Sequence, residues 1–253
     1  MKSADSRHVV IICAHRPGRS PSQRYRFEQY LPMLEKEGFS FTVSPLLDEH
    51  DDRIFYSSGQ TFPTAFILLK CLFRRIRDLQ RLKRSDIVFI QREALFTGGT
   101  FYERAAATRA RYLIFDFDDC IWIGDTSPGN SRWSWLKRPA KFYGNVRRAK
   151  AVIAGNKYLA SVARKLNVNT SVIPTTVDTS VHVPMPALRE GGPVTIGWSG
   201  SISTVKHSGL ILPVLVKLQN EFGESVQITL MGAHPRFQSL PHLRTVTWSE
   251  TNE

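Results

Sequence analysis

The chain has 253 residues, more than one ordinary domain and fewer than the about 350 that two complete doubly wound domains require, and its formal net charge is +12. Its three cysteines, Cys13, Cys71 and Cys120, stand far apart and match no CxxC or Cys/His ligand spacing, which argues against a disulfide framework and a zinc site. The polar stretch from Met1 to His8 lacks the apolar core of a signal peptide, so a cytoplasmic location is expected, and the basic excess favours phosphate-bearing partners: nucleic acid, anionic lipid or a nucleotide-linked substrate.

Short apolar, β-branched runs recur at the spacing of a strand plus a helix, at 9–14, 40–46, 87–91, 112–117, 151–154 and 171–173. Each is too short for a buried helix and apolar on both faces, as a covered parallel strand must be. Helical periodicity fills two of the gaps: 24–37 places Phe27, Tyr30, Leu31 and Leu34 on one stripe, and 158–166 does the same with Leu159, Val162, Ala163 and Leu166. The alternation predicts an α/β fold, a Rossmann-like doubly wound parallel sheet with right-handed crossovers and ligands beyond the carboxyl ends of its strands.

Residues 65–84 form an amphipathic helix. Phe66, Leu69, Leu72, Phe73, Ile76, Leu79 and Leu82 share one side, and Lys70, Arg74, Arg75, Arg77, Arg81, Lys83 and Arg84 lie largely on the other. Charge interrupts it too often for a bilayer span. Two readings stay open: the apolar stripe packs on the sheet with the basic face in water, or the helix lies on an anionic membrane surface. A second basic cluster comprises Arg132, Lys137, Arg138, Lys141, Arg147, Arg148 and Lys150.

Residues 179–193, with three prolines, a Gly pair and no periodicity, read as a linker. A strand at 194–198, a helix at 205–222, a strand at 226–231 and a last short strand at 245–248 open a second unit. The expected division is an N-terminal Rossmann-like domain over 1–178, a linker, and an incomplete second Rossmann-like domain over 194–253. No helix follows the last strand to cover it, so a truncated chain is expected.

Three loops carry residues suited to chemistry. The segment from His15 to Arg26 follows the first strand and lacks the three glycines of a dinucleotide fingerprint. Its Arg16, Arg19, Arg24 and Arg26 would suit a phosphate or carboxylate, although arginines beside a turn are also common surface residues. Asp116, Asp118 and Asp119 crowd the end of an apolar strand, where carboxylates repel and call for a metal, sugar hydroxyls or a basic partner. A phosphatase of the haloacid-dehalogenase type fails, because Cys120 replaces the needed Thr and no later acidic pair exists to hold magnesium. A DxD metal site leaves the linker and the second unit unexplained. The plainer alternative makes Asp116 structural and Asp118 or Asp119 a cap on the following turn. The run from Gly124 to Ser131 nearly matches a phosphate-binding loop, but Asn130 stands where its Lys must be. In the second unit, Gly197 to Lys206 brings small residues, hydroxyls and a lysine to a helix start, which suits a diphosphate, or else forms an ordinary capped turn.

The ordered set SQRYR (Ser22–Arg26), DFDDCIW (Asp116–Trp122), AGNKYLA (Ala154–Ala160), IPTTVD (Ile173–Asp178) and IGWSGSISTVKH (Ile196–His207) resembles bacterial glycosyltransferases of the family 4 type, which have two Rossmann-like domains in the GT-B arrangement. The resemblance implies retaining transfer of a sugar from a nucleotide-sugar donor to a glycan or lipid-linked acceptor, without a cofactor or a required metal. It implies acceptor binding by Arg16, Ser22, Arg24 and Arg26, Asp118 and Asp119 beside the reacting hydroxyl, and a donor diphosphate at Gly200, Ser201, Thr204 and Lys206. The family's downstream Glu-rich and Gly-rich segments lie beyond the last residue. The competing expectation is therefore a non-catalytic module that binds a glycan or a membrane surface. Nucleic acid is not an expected partner, since no recognition motif accompanies the charge.

Overall fold

In a computed structural model that describes residues 7–56, 61–83, 86–124, 137–184, 192–200, 210–231, 240 and 242–247, six of the apolar runs become one sheet. Its strands are β1 (Arg7–Cys13), β2 (Phe39–Pro45), β3 (Ile87–Gln91), β4 (Tyr112–Phe117), β5 (Ala151–Ala154) and β6 (Thr170–Val172). All pair in parallel, in the order β2-β1-β3-β4-β5-β6. The winding reverses between β1 and β3, so their carboxyl ends flank the crevice where such sheets bind ligands. Alternate residues of β1 serve opposite faces. Val10 and Ile12 join the core under α5 (Phe101–Arg109), α6 (Lys141–Arg148) and α7 (Lys157–Arg164), whereas Val9, Ile11 and Cys13 meet Phe27 on the other side. The chain divides into two compact units, Met1–Val183 and Pro184–Glu253.

The single helix expected over 24–37 is broken. The chain forms α1 (Pro21–Arg26), a 3-10 turn (Glu28–Tyr30) and α2 (Leu31–Lys36). Pro32 has no N–H for a continuous helix and clashes with the preceding turn, so it is tolerated only at the start of a new one. Phe27 leaves helical geometry at φ −144° and turns its ring into the sheet, 5.9 Å from that of Phe89. Helix α3 (Glu49–Phe55) is capped by Asp48, whose Oδ1 accepts from the Asp51 amide at 2.9 Å.

Helix α4 (Thr61–Arg81) corrects the first reading of the amphipathic segment. Its inward face holds Ile67, Cys71, Arg75 and Leu79, while Phe66, Leu69, Leu72, Phe73 and Ile76 are exposed. Arg75 decides the orientation. Its guanidinium is wholly buried and donates to the carbonyls of Cys13 (2.9 Å), Ser44 (3.1 Å) and Ala94 (2.8 Å) and to Asp78 (2.8 Å). A five-donor fork satisfies carbonyls at and just beyond strand ends that an apolar side chain would leave unpaired. No helix among the described residues is long and apolar enough to cross a membrane.

The second unit has a parallel sheet in the order β7-β8-β9, from β7 (Val194–Ser199), β8 (Val226–Met231) and β9 (Leu243–Val246). Helix α8 (Leu212–Phe222) packs Leu215 against Ile228 and Leu230. The start of the expected helix 205–222, Trp248 of the expected last strand, Arg84, Arg132 and residues 125–131 of the near phosphate loop lie outside the described residues.

Candidate functional site

The carboxyl edge of the first sheet gathers side chains from the ends of β1, β3 and β4. At the end of β3, the buried Gln91 amide donates to Ser22 Oγ at 2.9 Å, and Ser22 Oγ donates to Asp118 Oδ2 at 2.5 Å. This chain of bonds runs from the strand end through α1 to the loop after β4 and fixes one oxygen of the Asp118 carboxylate. The other oxygen, Oδ1, is buried and has no hydrogen-bond partner among the described residues. Behind it the backbone is tight: a Cβ at Gly155 would lie 3.1 Å from Asp118 Cα. That position is held by a glycine because the chain after β5 must pass this close.

Arg92, which follows Gln91, is in the left-handed region at φ 65°. Its amide donates to the Asp116 carbonyl at 2.7 Å, and its guanidinium lies 3.0 Å from the exposed Asp119 carboxylate. Beneath both loops Arg26 meets Asp116 in a buried, two-point ion pair and also donates to the Ile173 carbonyl. Burial raises the Asp116 carboxyl to about 6, with Arg26 pulling it down and Asp118 pushing it further up.

On the β1 side, Gln23 grips the loop through both backbone groups of one residue. Its Oε1 accepts from the His15 amide at 2.8 Å and its Nε2 donates to the His15 carbonyl at 2.9 Å. The His15 ring stands 3.1 Å from Asp52, Arg19 donates to Asp52 at 2.6 Å, and Arg16 lies 3.7 Å away. Burial pushes the Asp52 carboxyl up, but the bonds from His15 and Arg19 outweigh it and hold the group below its ordinary 3.8. A depressed native pKa stabilises the fold fully above the unfolded value and loses that contribution as pH falls through the native one. The stability gap between the wild type and Asp52→Asn, followed by urea unfolding from about pH 7 to pH 3, is therefore expected to hold steady to about pH 4 and narrow below it.

The structure thus brings Ser22 and Asp118 into direct contact and ties Asp119 to the same edge through Arg92. Arg26 is turned inward and serves Asp116, so its guanidinium presents no open face. Arg24 is half-buried, with its guanidinium 5.4 Å from the Tyr25 ring centroid, and Arg16 belongs to the Asp52 cluster. Gln91 and Arg92 stand in no motif, and only their place at a strand end marks them beforehand. In the second unit the Gly200 amide donates to the Met231 carbonyl at 3.3 Å, at the end of β7. Ser201, Thr204 and Lys206 lie outside the described residues. Among the described residues, no group of three or more His, Cys, Asp or Glu is placed to hold a metal ion.

No protein-family model matches the sequence, and comparison with curated proteins finds no match. Solved structures do match in fold. A trehalose-6-phosphate protein from E. coli bound with UDP-2-fluoro glucose aligns with a TM-score of 0.56 and 11% identity, over 96% of this chain and 74% of that one. Trehalose-6-phosphate synthase aligns with a TM-score of 0.55 and 10% identity, over 96% of this chain and 74% of that one. These neighbours are GT-B glycosyltransferases, and the chain shares their α/β architecture.

Proposed function

We propose that the chain acts in glycosyl transfer as a retaining, nucleotide-sugar-dependent enzyme of the family 4 type, working in the cytoplasm on a glycan or lipid-linked acceptor. The observation that carries this reading is Asp118, half-buried at the carboxyl edge of a GT-B-like sheet, with one oxygen fixed by Ser22 and the other buried without a hydrogen-bond partner. An acceptor hydroxyl that reaches this oxygen as the rim above it moves would supply the missing partner, and the carboxylate would orient that hydroxyl for transfer or take its proton. Arg16 and Arg24 lie on the same edge and suit an anionic acceptor group. On the donor side, the segment from Gly200 to Lys206 carries the hydroxyls of Ser201 and Thr204 and the positive charge of Lys206. Those groups would stabilise the charge that develops on a departing nucleoside diphosphate.

Isothermal titration of the full chain with a panel of nucleoside diphosphates and nucleotide sugars tests the reading, beside Lys206→Ala. Micromolar binding that the substitution weakens about tenfold or more supports a donor site there, in line with loss of one charge-assisted contact. Absence of binding at millimolar ligand by folded protein would leave a non-catalytic, acceptor-side module.

A further inference from the structure

The outward face of α4 is unused by the proposed chemistry. Phe62, Phe66, Leu69, Phe73 and Ile76 follow one another at steps of four and three residues and so stand in one row, about 21 Å long at 1.5 Å per residue. Phe62 is 89% exposed, Phe66 69% and Phe73 62%. Scattered apolar residues on a surface need no explanation, but a continuous apolar row with three exposed phenylalanines does. The fold of the first unit does not consume it, because the inward face of α4 is already filled by Ile67, Cys71, Arg75 and Leu79.

Charge along the border says what fits the row. Arg77 and Arg81 follow Phe73 by one and two helical turns, and both are exposed, as is Lys83 just beyond the helix. Lys70 and Arg74 are already engaged, by Asp48 and Asp51 and by the carbonyls of Pro45 and Leu46. The one acid of α4, Asp78, is bound by Arg75 and Ser44. The row is therefore edged by positive charge that no described acid neutralises, on a chain of net charge +12.

We propose that α4 is a docking surface for an anionic lipid bilayer. The helix lies in the membrane plane with the phenylalanine row at the boundary of headgroups and acyl chains, and Arg77, Arg81 and Lys83 meet lipid phosphates. A second copy of the chain fits less well, since it would bring the same basic border and the same net charge against this one. The inference stands apart from the glycosyl-transfer reading and survives its failure.

The test is sedimentation of the full chain with vesicles of phosphatidylglycerol mixed with phosphatidylcholine, and with vesicles of phosphatidylcholine alone. Binding to the anionic vesicles is expected to exceed binding to the neutral ones at least tenfold. Phe66→Ser with Phe73→Ser, and separately Arg77→Glu with Arg81→Glu, are each expected to weaken it at least tenfold. All four side chains are exposed, so thermal unfolding is expected to stay near that of the wild type, and Phe62→Ser serves as a milder check. The proposal is overturned if the folded wild type stays in the supernatant, or if the phenylalanine variant binds like the wild type. It is overturned equally if light scattering finds a dimer that the phenylalanine variant dissociates, which would make the row a contact between copies.

Discussion

Replacing Arg26 by alanine is expected to cost the first unit about 3–5 kcal/mol, the usual penalty for stranding one member of a buried ion pair. Asp116 would keep its place under the loops after β3 and β4 with both oxygens stripped of their partner, and the Ile173 carbonyl would lose its donor as well. The cost should depend on pH with a definite sign. The native Asp116 carboxyl already stands at about 6 against an ordinary 3.8, so protonation favours the folded state and that advantage fades as pH rises through 6. Removing Arg26 moves the carboxyl higher still, so the deficit is largest near neutrality and shrinks toward pH 5. Urea unfolding of both proteins at these two pH values measures it. The double variant Arg26→Met with Asp116→Leu should recover most of the loss, because an apolar pair of similar size strands no charge.

Asp118→Asn is expected to lower sugar transfer about 10²–10⁴-fold, the range over which a positioned acid or base contributes, while leaving the melting temperature nearly unchanged. An amide fills the same volume and can still take the Ser22 bond on its oxygen, so folding is spared. Ser22→Ala acts one step removed. It frees the carboxylate to rotate and leaves Gln91 without its acceptor, so a loss of about tenfold is expected, and Asp118→Asn should make it redundant. Asp119→Asn should matter less than Asp118→Asn, because that carboxylate is exposed and held by Arg92. Initial-rate measurements on this set decide the matter. Full activity in Asp118→Asn would move catalysis to another group.

The strands were readable because their burial is written in composition. A parallel strand covered on both faces has to be apolar throughout, and 87–91, 112–117 and 151–154 match β3, β4 and β5 end to end. Helices declare themselves less fully, since periodicity says which residues share a side and not which side faces in. In α4 the longest apolar stripe points outward because Arg75, a charged residue, meets the carbonyls of three chain segments. No count of apolar residues anticipates that. The same limit applies at the site. Asp118 and Ser22 belonged to recognisable segments, whereas the bond between them joins residues 96 positions apart. Gln91 looked like the last residue of an ordinary strand, and Arg26 like one more basic residue near a turn, until the fold put an acid against it.

Arg92 holds a backbone conformation that a glycine would adopt freely, at a cost of about 1 kcal/mol for a residue with a side chain. A chain shaped only for durability has an easy improvement there. Keeping arginine at that corner makes sense if the guanidinium is worth more to the molecule than the relaxed turn, and it forms its ion pair with Asp119 on the open rim. The loop between β3 and α5 is thus a place where robustness and purpose pull in opposite directions, and where a stabilising change should be read as a warning of lost capability.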